Sequence, residues 1–302
     1  MLIGHKKQIK FLEDSIRAGK ISQAYLFSGP EGVGKFALAK IFAQSQIQGR
    51  DDFKYDENFS ENKNLDLEIL FPEVIEKKGL IKIRDIDVDR VRDAQKKLAL
   101  FPSIGKKRFL IINDAHRLTI AGQNTLLKNL EEPNSSSVII LVTHREGAIL
   151  KTIKSRCQKI NFNLVSLDEI KEGFKDKITS DLLEKMIIFS MGKPGEMNKF
   201  LEDQGLLLQR ELFLKDLNML QRMNVTEKFD LAQKYAKNTG EAIKKLEFWI
   251  WMIRVQTYKN LGNKEVLKNN FRIIEKIEEV LIKVKNPSLN SRLIFENLFL
   301  NF

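Results

Sequence analysis

Cysteine is nearly absent from this sequence of 302 residues; Cys157 is the only one. An intramolecular disulfide is excluded, and so is any multi-cysteine zinc module. Histidine is almost as scarce. His5, His116 and His144 lie far apart along the chain, a spacing that offers no histidine metal centre. No apolar run approaches the roughly 18 residues that a membrane-spanning helix needs. The opening MLIGHKKQIKFLEDSI alternates charged and apolar residues and has no signal-peptide core. These absences predict a soluble, cytoplasmic chain with no zinc and no contact with membrane.

What is present supports real cores: 43% of residues are hydrophobic. The length suggests about two or three compact units. The formal charge of +11 suits an acidic partner, of which nucleic acid is the commonest. That charge is diffuse. Residues 205–302 hold 17 Lys and Arg against 11 Asp and Glu, and no dense basic block is interleaved with aromatics. Charge therefore permits DNA contact and equally fits a surface of solvated lysines.

Strand-like and helical segments alternate over residues 1–163. Gly4–Ala18 reads as an amphipathic helix with Ile9, Leu12 and Ile16 on one face. Strands are expected at 24–28, 107–114 and 137–143, and helices at 35–46 and from Ala121 to Glu131, before Pro133. The polar stretch 47–64 reads as a loop, and 80–100 starts strand-like and turns helical. This alternation implies an α/β fold with a largely parallel sheet. After Phe162 the texture becomes helical, with breaks at Gly192, Pro194, Gly195, Gly205, Gly240, Gly262 and Pro287. Three short helices, two of them opening at Ser166 and Ser180 as capping predicts, precede a longer helical segment. Phe248, Trp249 and Trp251 in that segment read as core before they read as a base-stacking platform.

Two stretches carry chemistry. In YLFSGPEGVGKFALAK the pattern G-x-x-x-x-G-K-[ST] runs through Gly29, Gly32, Gly34 and Lys35, then fails at Phe36. A hydroxyl belongs there because it ligates the Mg²⁺ that accompanies a triphosphate. The backbone amides and Lys35 would still hold phosphate, unless the Phe36 ring fills the site. In RFLIINDAHRLT an apolar strand runs into Asp114, either the acid that orients Mg²⁺ or a cap at a strand-to-helix corner. Hydrolysing sites of this kind usually carry Glu next; here the residue is Ala115. Two defects together argue that turnover was lost.

The stretches IGHKKQIKFLEDSIRAGKISQAYLFSGPEGVGKFALAK, DAHRLTIAGQNTLLKNLEEP and LKTIKSRCQKINF resemble the bacterial DNA polymerase III clamp-loader subunits of the AAA+ class. The likeness continues through MGKPGEMNKFLE to NPSLNSRLIFENLFL, and within the set it is strongest to the delta-prime type. The resemblance implies a RecA-like AAA+ domain at 1–163, a helical lid at 164–205 and an all-α collar at 206–302. It implies gamma/tau and delta subunits as partners in a heteropentamer that loads a sliding clamp on primer-template DNA. In that family ATP sits between neighbouring subunits, and Arg156 in KSRC matches the arginine finger given to a neighbour's site. Thr143 falls where the family keeps a polar residue near the γ-phosphate, and equally suits a plain strand end. Gly195 falls where hydrolysing relatives carry an Arg that senses nucleotide. The region of the relatives' four-cysteine zinc module, about 46–66, has no cysteine, and Cys157 reads as a small buried hydrophobe. ATP or ADP binding is expected to be weak. The alternatives are an active gamma/tau-type ATPase and a free-standing AAA+ DNA-binding protein.

Overall fold

A computed structural model describes residues 2–302 except 51, 54, 55, 57, 58, 60–63, 78, 79, 177, 179, 221 and 287. The chain forms two compact units, one of residues 1–183 with 192–196 and the other of residues 184–191 with 197–302.

The first unit runs α1 (Lys6–Arg17), β1 (Ala24–Ser28), α2 (Lys35–Ile47), β2 (Leu67–Leu70), β3 (Glu73–Lys77), β4 (Leu80–Arg84), α3 (Val88–Leu98), β5 (Arg108–Ile112), α4 (Ile120–Glu131), β6 (Ser137–Thr143), α5 (Lys151–Lys154), β7 (Gln158–Asn161) and α6 (Leu167–Phe174). Five strands form one sheet in the order β2-β5-β6-β1-β7, parallel throughout, while β3 and β4 make a separate antiparallel hairpin. The parallel sheet explains the continuous apolar runs, because its strands are buried on both faces. Tyr25, Phe27, Phe109, Ile111, Val138 and Ile140 face one core with α1 and α2. Leu26, Leu110, Ile112, Ile139 and Leu141 face the other, with α3 and α4. Ile9, Leu12 and Ile16 pack on the first core, as the helical spacing predicts.

The sequence reading left two segments incomplete. The stretch 47–64 was expected as a loop, and part of it lies outside the described residues. Its described residues lack regular structure beyond Ile47, yet they are anchored: Phe53 stacks on Phe42 at 6.0 Å, and Phe59 packs against the same core. β4 and α3 are the strand-like start and helical end expected over 80–100, whereas β2 and β3 carry too mixed a pattern to be foreseen. Beside β2, the buried Asp66 accepts hydrogen bonds from the amides of Ser103, Ile104 and Gly105, and lies 3.4 Å from Arg108 Nε. That carboxylate holds the connection from α3 to β5. Burial pushes its pKa up, but the three amides and Arg108 outweigh burial and hold it below the usual range.

Ser166 caps α6 by accepting from the Glu169 amide. The matching cap at Ser180 lies outside the described side chains, as does the break at Pro287. α7 (Ser180–Phe189) and α8 (Pro194–Glu202) complete the trio of short helices. The second unit continues with α9 (Gln204–Leu220), α10 (Val225–Lys237), α11 (Thr239–Lys259), α12 (Lys264–Lys283) and α13 (Ser291–Leu300). Its centre is aromatic. Trp249 is fully buried, donates Nε1 to the Phe213 carbonyl at 2.7 Å and lies among Tyr235, Phe299 and Phe302. Phe248 is fully buried too, so these rings are core and not a platform for bases.

Candidate functional site

The glycine loop joins β1 to α2, with Gly29, Gly32 and Gly34 all at positive φ. At Gly29 the requirement is absolute. A Cβ there would sit 2.2 Å from the Phe162 carbonyl oxygen, so only glycine lets the loop lie against the residue after β7. Lys35 opens α2 and is buried, 6% exposed, with Nζ donating to the carbonyl of Gly29 at 2.8 Å and to that of Pro30. Burial lowers its pKa to about 8, against the pull of Asp114 and Glu31 and with the help of Lys193. Two other segments close on the loop. His5 Nε2 is 2.7 Å from the Val33 carbonyl, and the Gly195 amide donates to the Gly32 carbonyl at 2.8 Å.

Phe36 follows Lys35 on α2 and is committed to packing. Its ring meets Phe71 edge-on at 5.2 Å, lies under Lys40 and rests against the core. The position supplies no oxygen to a metal. Gly195, where an arginine was looked for, is tight for any side chain, because a Cβ would sit 2.8 Å from the Gly32 carbonyl oxygen.

The end of β5 corrects the sequence reading. The strand stops at Ile112, and the ladder continues only through the Asn113 amide to the Leu70 carbonyl at 2.9 Å. The strand tip is therefore Asn113. Asp114 lies one residue beyond, in left-handed backbone at φ 50°, and its charge acts on Lys35. A neutral amide at the tip and a ring at Phe36 leave a donor set that fits phosphate but not its accompanying Mg²⁺.

Thr143 ends β6 fully buried, and its carbonyl accepts from the Gly29 amide at 3.3 Å. Its hydroxyl accepts from the Arg145 amide at 3.0 Å and lies 3.4 Å from His116 Nδ1. The fold thus brings Gly29, Gly32, Gly34, Lys35, Asp114 and Thr143 together. It also brings in two histidines the sequence left apart: His116 and His144 meet with ring centroids 4.2 Å apart. His144 Nδ1 lies 3.4 Å from Asp114 Oδ1. Burial, with help from neighbouring His144, lowers the His116 pKa to about 4.

Arg156 sits elsewhere. It follows α5, and its guanidinium bonds Glu131 at 2.9 Å and the Thr152 carbonyl at 3.1 Å. Glu131 is the last residue of α4, which starts at Ile120, six residues after Asp114. Next to it Cys157 packs on the core, and burial pushes its thiol up to about 12, which makes it inert.

A family model described as DNA polymerase III, delta subunit, matches residues 4–166. The chain belongs to the DNA polymerase III clamp-loader family. It is 33% identical over 175 residues to DNA polymerase III subunit tau of Bacillus subtilis, across 56% of this chain and 30% of that one. It is 28% identical over 215 residues to DNA polymerase III subunit delta' of Pseudomonas aeruginosa, across 68% and 63%. It is 30% identical over 251 residues to subunit gamma/tau of Mycoplasma genitalium, across 78% and 39%. The chain thus spans less than two thirds of the length of these relatives. Among solved structures, a gamma subunit-related protein of Thermotoga maritima aligns over 97% of both chains at 18% identity and a TM-score of 0.43.

In this clamp-loader chain the α/β unit carries the AAA+ fold that the sequence implied, and the helical part follows it. Among the described residues, no helix is long and apolar enough to cross a membrane. The site residues missed in the sequence are Asn113, His116 and His144. Asn113 was hidden because an apolar run does not mark where its strand stops. The histidines were hidden because the adjacency of β5 and β6 is a tertiary fact.

Proposed function

We propose that the chain is a delta-prime-type subunit of the DNA polymerase III clamp loader. It joins gamma/tau and delta subunits in a cytoplasmic heteropentamer that opens the sliding clamp and loads it on primer-template DNA. Residues 1–163 act as the AAA+ domain, 164–205 as the lid and 206–302 as the collar that holds the ring together. The chain's own site is degenerate and holds ATP or ADP weakly, without turnover, and the relatives' four-cysteine zinc module is absent from its sequence.

The observation that carries this reading is a division of parts. The phosphate loop has a ring at Phe36 where a metal ligand belongs, while Arg156 is kept and is paired with Glu131 at the end of α4 rather than with the loop's own residues. An arginine so placed serves a neighbour's γ-phosphate, where a guanidinium offsets charge in the transition state and is worth about 10³–10⁵ in rate. The Phe36 ring and the closed approach of Gly195 to the loop support loss of turnover in the chain itself.

A second reading is an active gamma/tau-type ATPase. It is favoured by the likeness to subunits bearing the tau and gamma/tau names. Purifying the chain with its partner subunits and measuring DNA-stimulated ATPase with Arg156→Ala and Lys35→Ala separates the two. The delta-prime reading requires the arginine variant to be the more damaging.

A further inference from the structure

β5 and β6 are adjacent and in register, with Ile112 opposite Leu141, so the residues just past their ends share one shelf. Asp114 and His116 follow β5, and His144 follows β6. One potential ligand atom from each of the three lies within 4.8 Å of the others, and all three are half-buried. We propose that Asp114, His116 and His144 form a site for a single divalent transition-metal ion of the zinc class, with its remaining position open to water.

The spacing accommodates an ion. At 3.4 Å, Asp114 Oδ1 and His144 Nδ1 make only a long hydrogen bond. Two ligand atoms about 2.0–2.1 Å from a tetrahedral ion are about 3.4 Å from each other. The observed contact therefore has the length of a coordination edge. The donor types point the same way. Two imidazoles with one carboxylate suit Zn²⁺, Co²⁺ or Ni²⁺, whereas Mg²⁺ and Ca²⁺ select oxygen alone. Three protein ligands leave the fourth place of a tetrahedral ion open.

The surroundings are built to orient the ligands. Thr143 Oγ1, 3.4 Å from His116 Nδ1, is placed to accept that N–H when Nε2 binds an ion, the outer contact that ligating histidines commonly make. Thr143 is itself fully buried at the end of a central strand, which fixes its hydroxyl. The site differs from the Mg²⁺ site of a phosphate loop, which needs a hydroxyl where this chain has Phe36.

The test uses the full chain, stripped with chelator and titrated with Zn²⁺ by calorimetry and with Co²⁺ by visible absorption. One equivalent should bind, and Co²⁺ should give the intense absorption of four-coordinate geometry. His116→Ala and His144→Ala should each weaken Zn²⁺ binding by about 100-fold or more, and Thr143→Val by about tenfold. Circular dichroism establishes that each variant folds; where an alanine variant does not, His144→Asn and Asp114→Asn take its place. Absence of stoichiometric uptake by the parent chain overturns the proposal. So does uptake that persists in the His116→Ala, His144→Ala double variant, since that is adventitious binding. Neither result touches the clamp-loader reading, because no nucleotide or partner subunit enters the assay.

Discussion

Arg156 and Glu131 form an ion pair, Nη2 to Oε1 at 2.9 Å, which ties the second residue past α5 to the last residue of α4. The two side chains are 36% and 51% exposed, so the pair contributes about 1 kcal/mol at most. Glu131 thus holds the guanidinium in place weakly enough to release it to a stronger anion. A phosphate presented by another subunit is such an anion.

Arg156→Ala should therefore fold and assemble normally, with stability changed by less than about 1 kcal/mol. The reconstituted complex should lose most of its DNA-dependent ATPase and clamp-loading rate, because one site lacks its cation. Lys35→Ala should matter far less to either rate. Loading assays with both variants side by side decide the matter, and the reverse order would make this chain a motor.

The isolated chain should hydrolyse ATP at background only, and Phe36→Ser should not restore turnover. The serine returns one oxygen, but Asn113, a neutral amide, still holds the strand tip. A steady-state phosphate-release assay checks this. Turnover in the parent chain that vanishes with Lys35→Ala would falsify the assignment of a dead site.

Nucleotide should bind weakly and with little dependence on Mg²⁺. The loop amides remain, but Lys35 Nζ must leave the carbonyls of Gly29 and Pro30 to meet a phosphate. Calorimetry with ATP in Mg²⁺ and in chelator should give affinities within a few-fold of each other. Tight binding that strictly needs Mg²⁺ would contradict the donor set.

Asp66 should make the α/β unit sensitive to acid. Its folded-state pKa is below the unfolded value of about 3.9, so its contribution is present above that pH. The contribution is lost as pH falls through the folded-state value. Asp66→Ala should cost about 3 kcal/mol or more at neutral pH, since it leaves three amides without an acceptor and the buried Arg108 without its counter-charge. The gap between parent and variant in urea melts should narrow as pH drops below about 4. A gap that stays constant with pH would assign the loss to packing alone.

Where burial is complete, the sequence was easy to read. YLF, FLII and VIILV are apolar throughout because both faces of the sheet are covered, and each lies within a strand. The phosphate loop was legible for another reason: its backbone needs glycine wherever φ is positive or a carbonyl lies close. Asp66 gave no signal, because a buried carboxylate held by amides looks in sequence like any acid in a polar stretch. The close approach of Gly195 to Gly32 gave no signal, since that contact joins residues far apart in the chain.

The strand that leads into the phosphate loop sits in the sheet between two strands made much later. Ala24 pairs with Ile139, and Phe27 with Ile160. At ribosomal speeds of about 5–20 residues per second, β1 waits on the order of ten seconds for its neighbours. Through that interval an apolar strand has both hydrogen-bonding edges open, a template for pairing with other chains. Folding that depends on such distant partners is slow, and the nascent chain is the stage most exposed to aggregation. Any fragment that ends before β6 keeps that liability permanently, however intact its glycine loop.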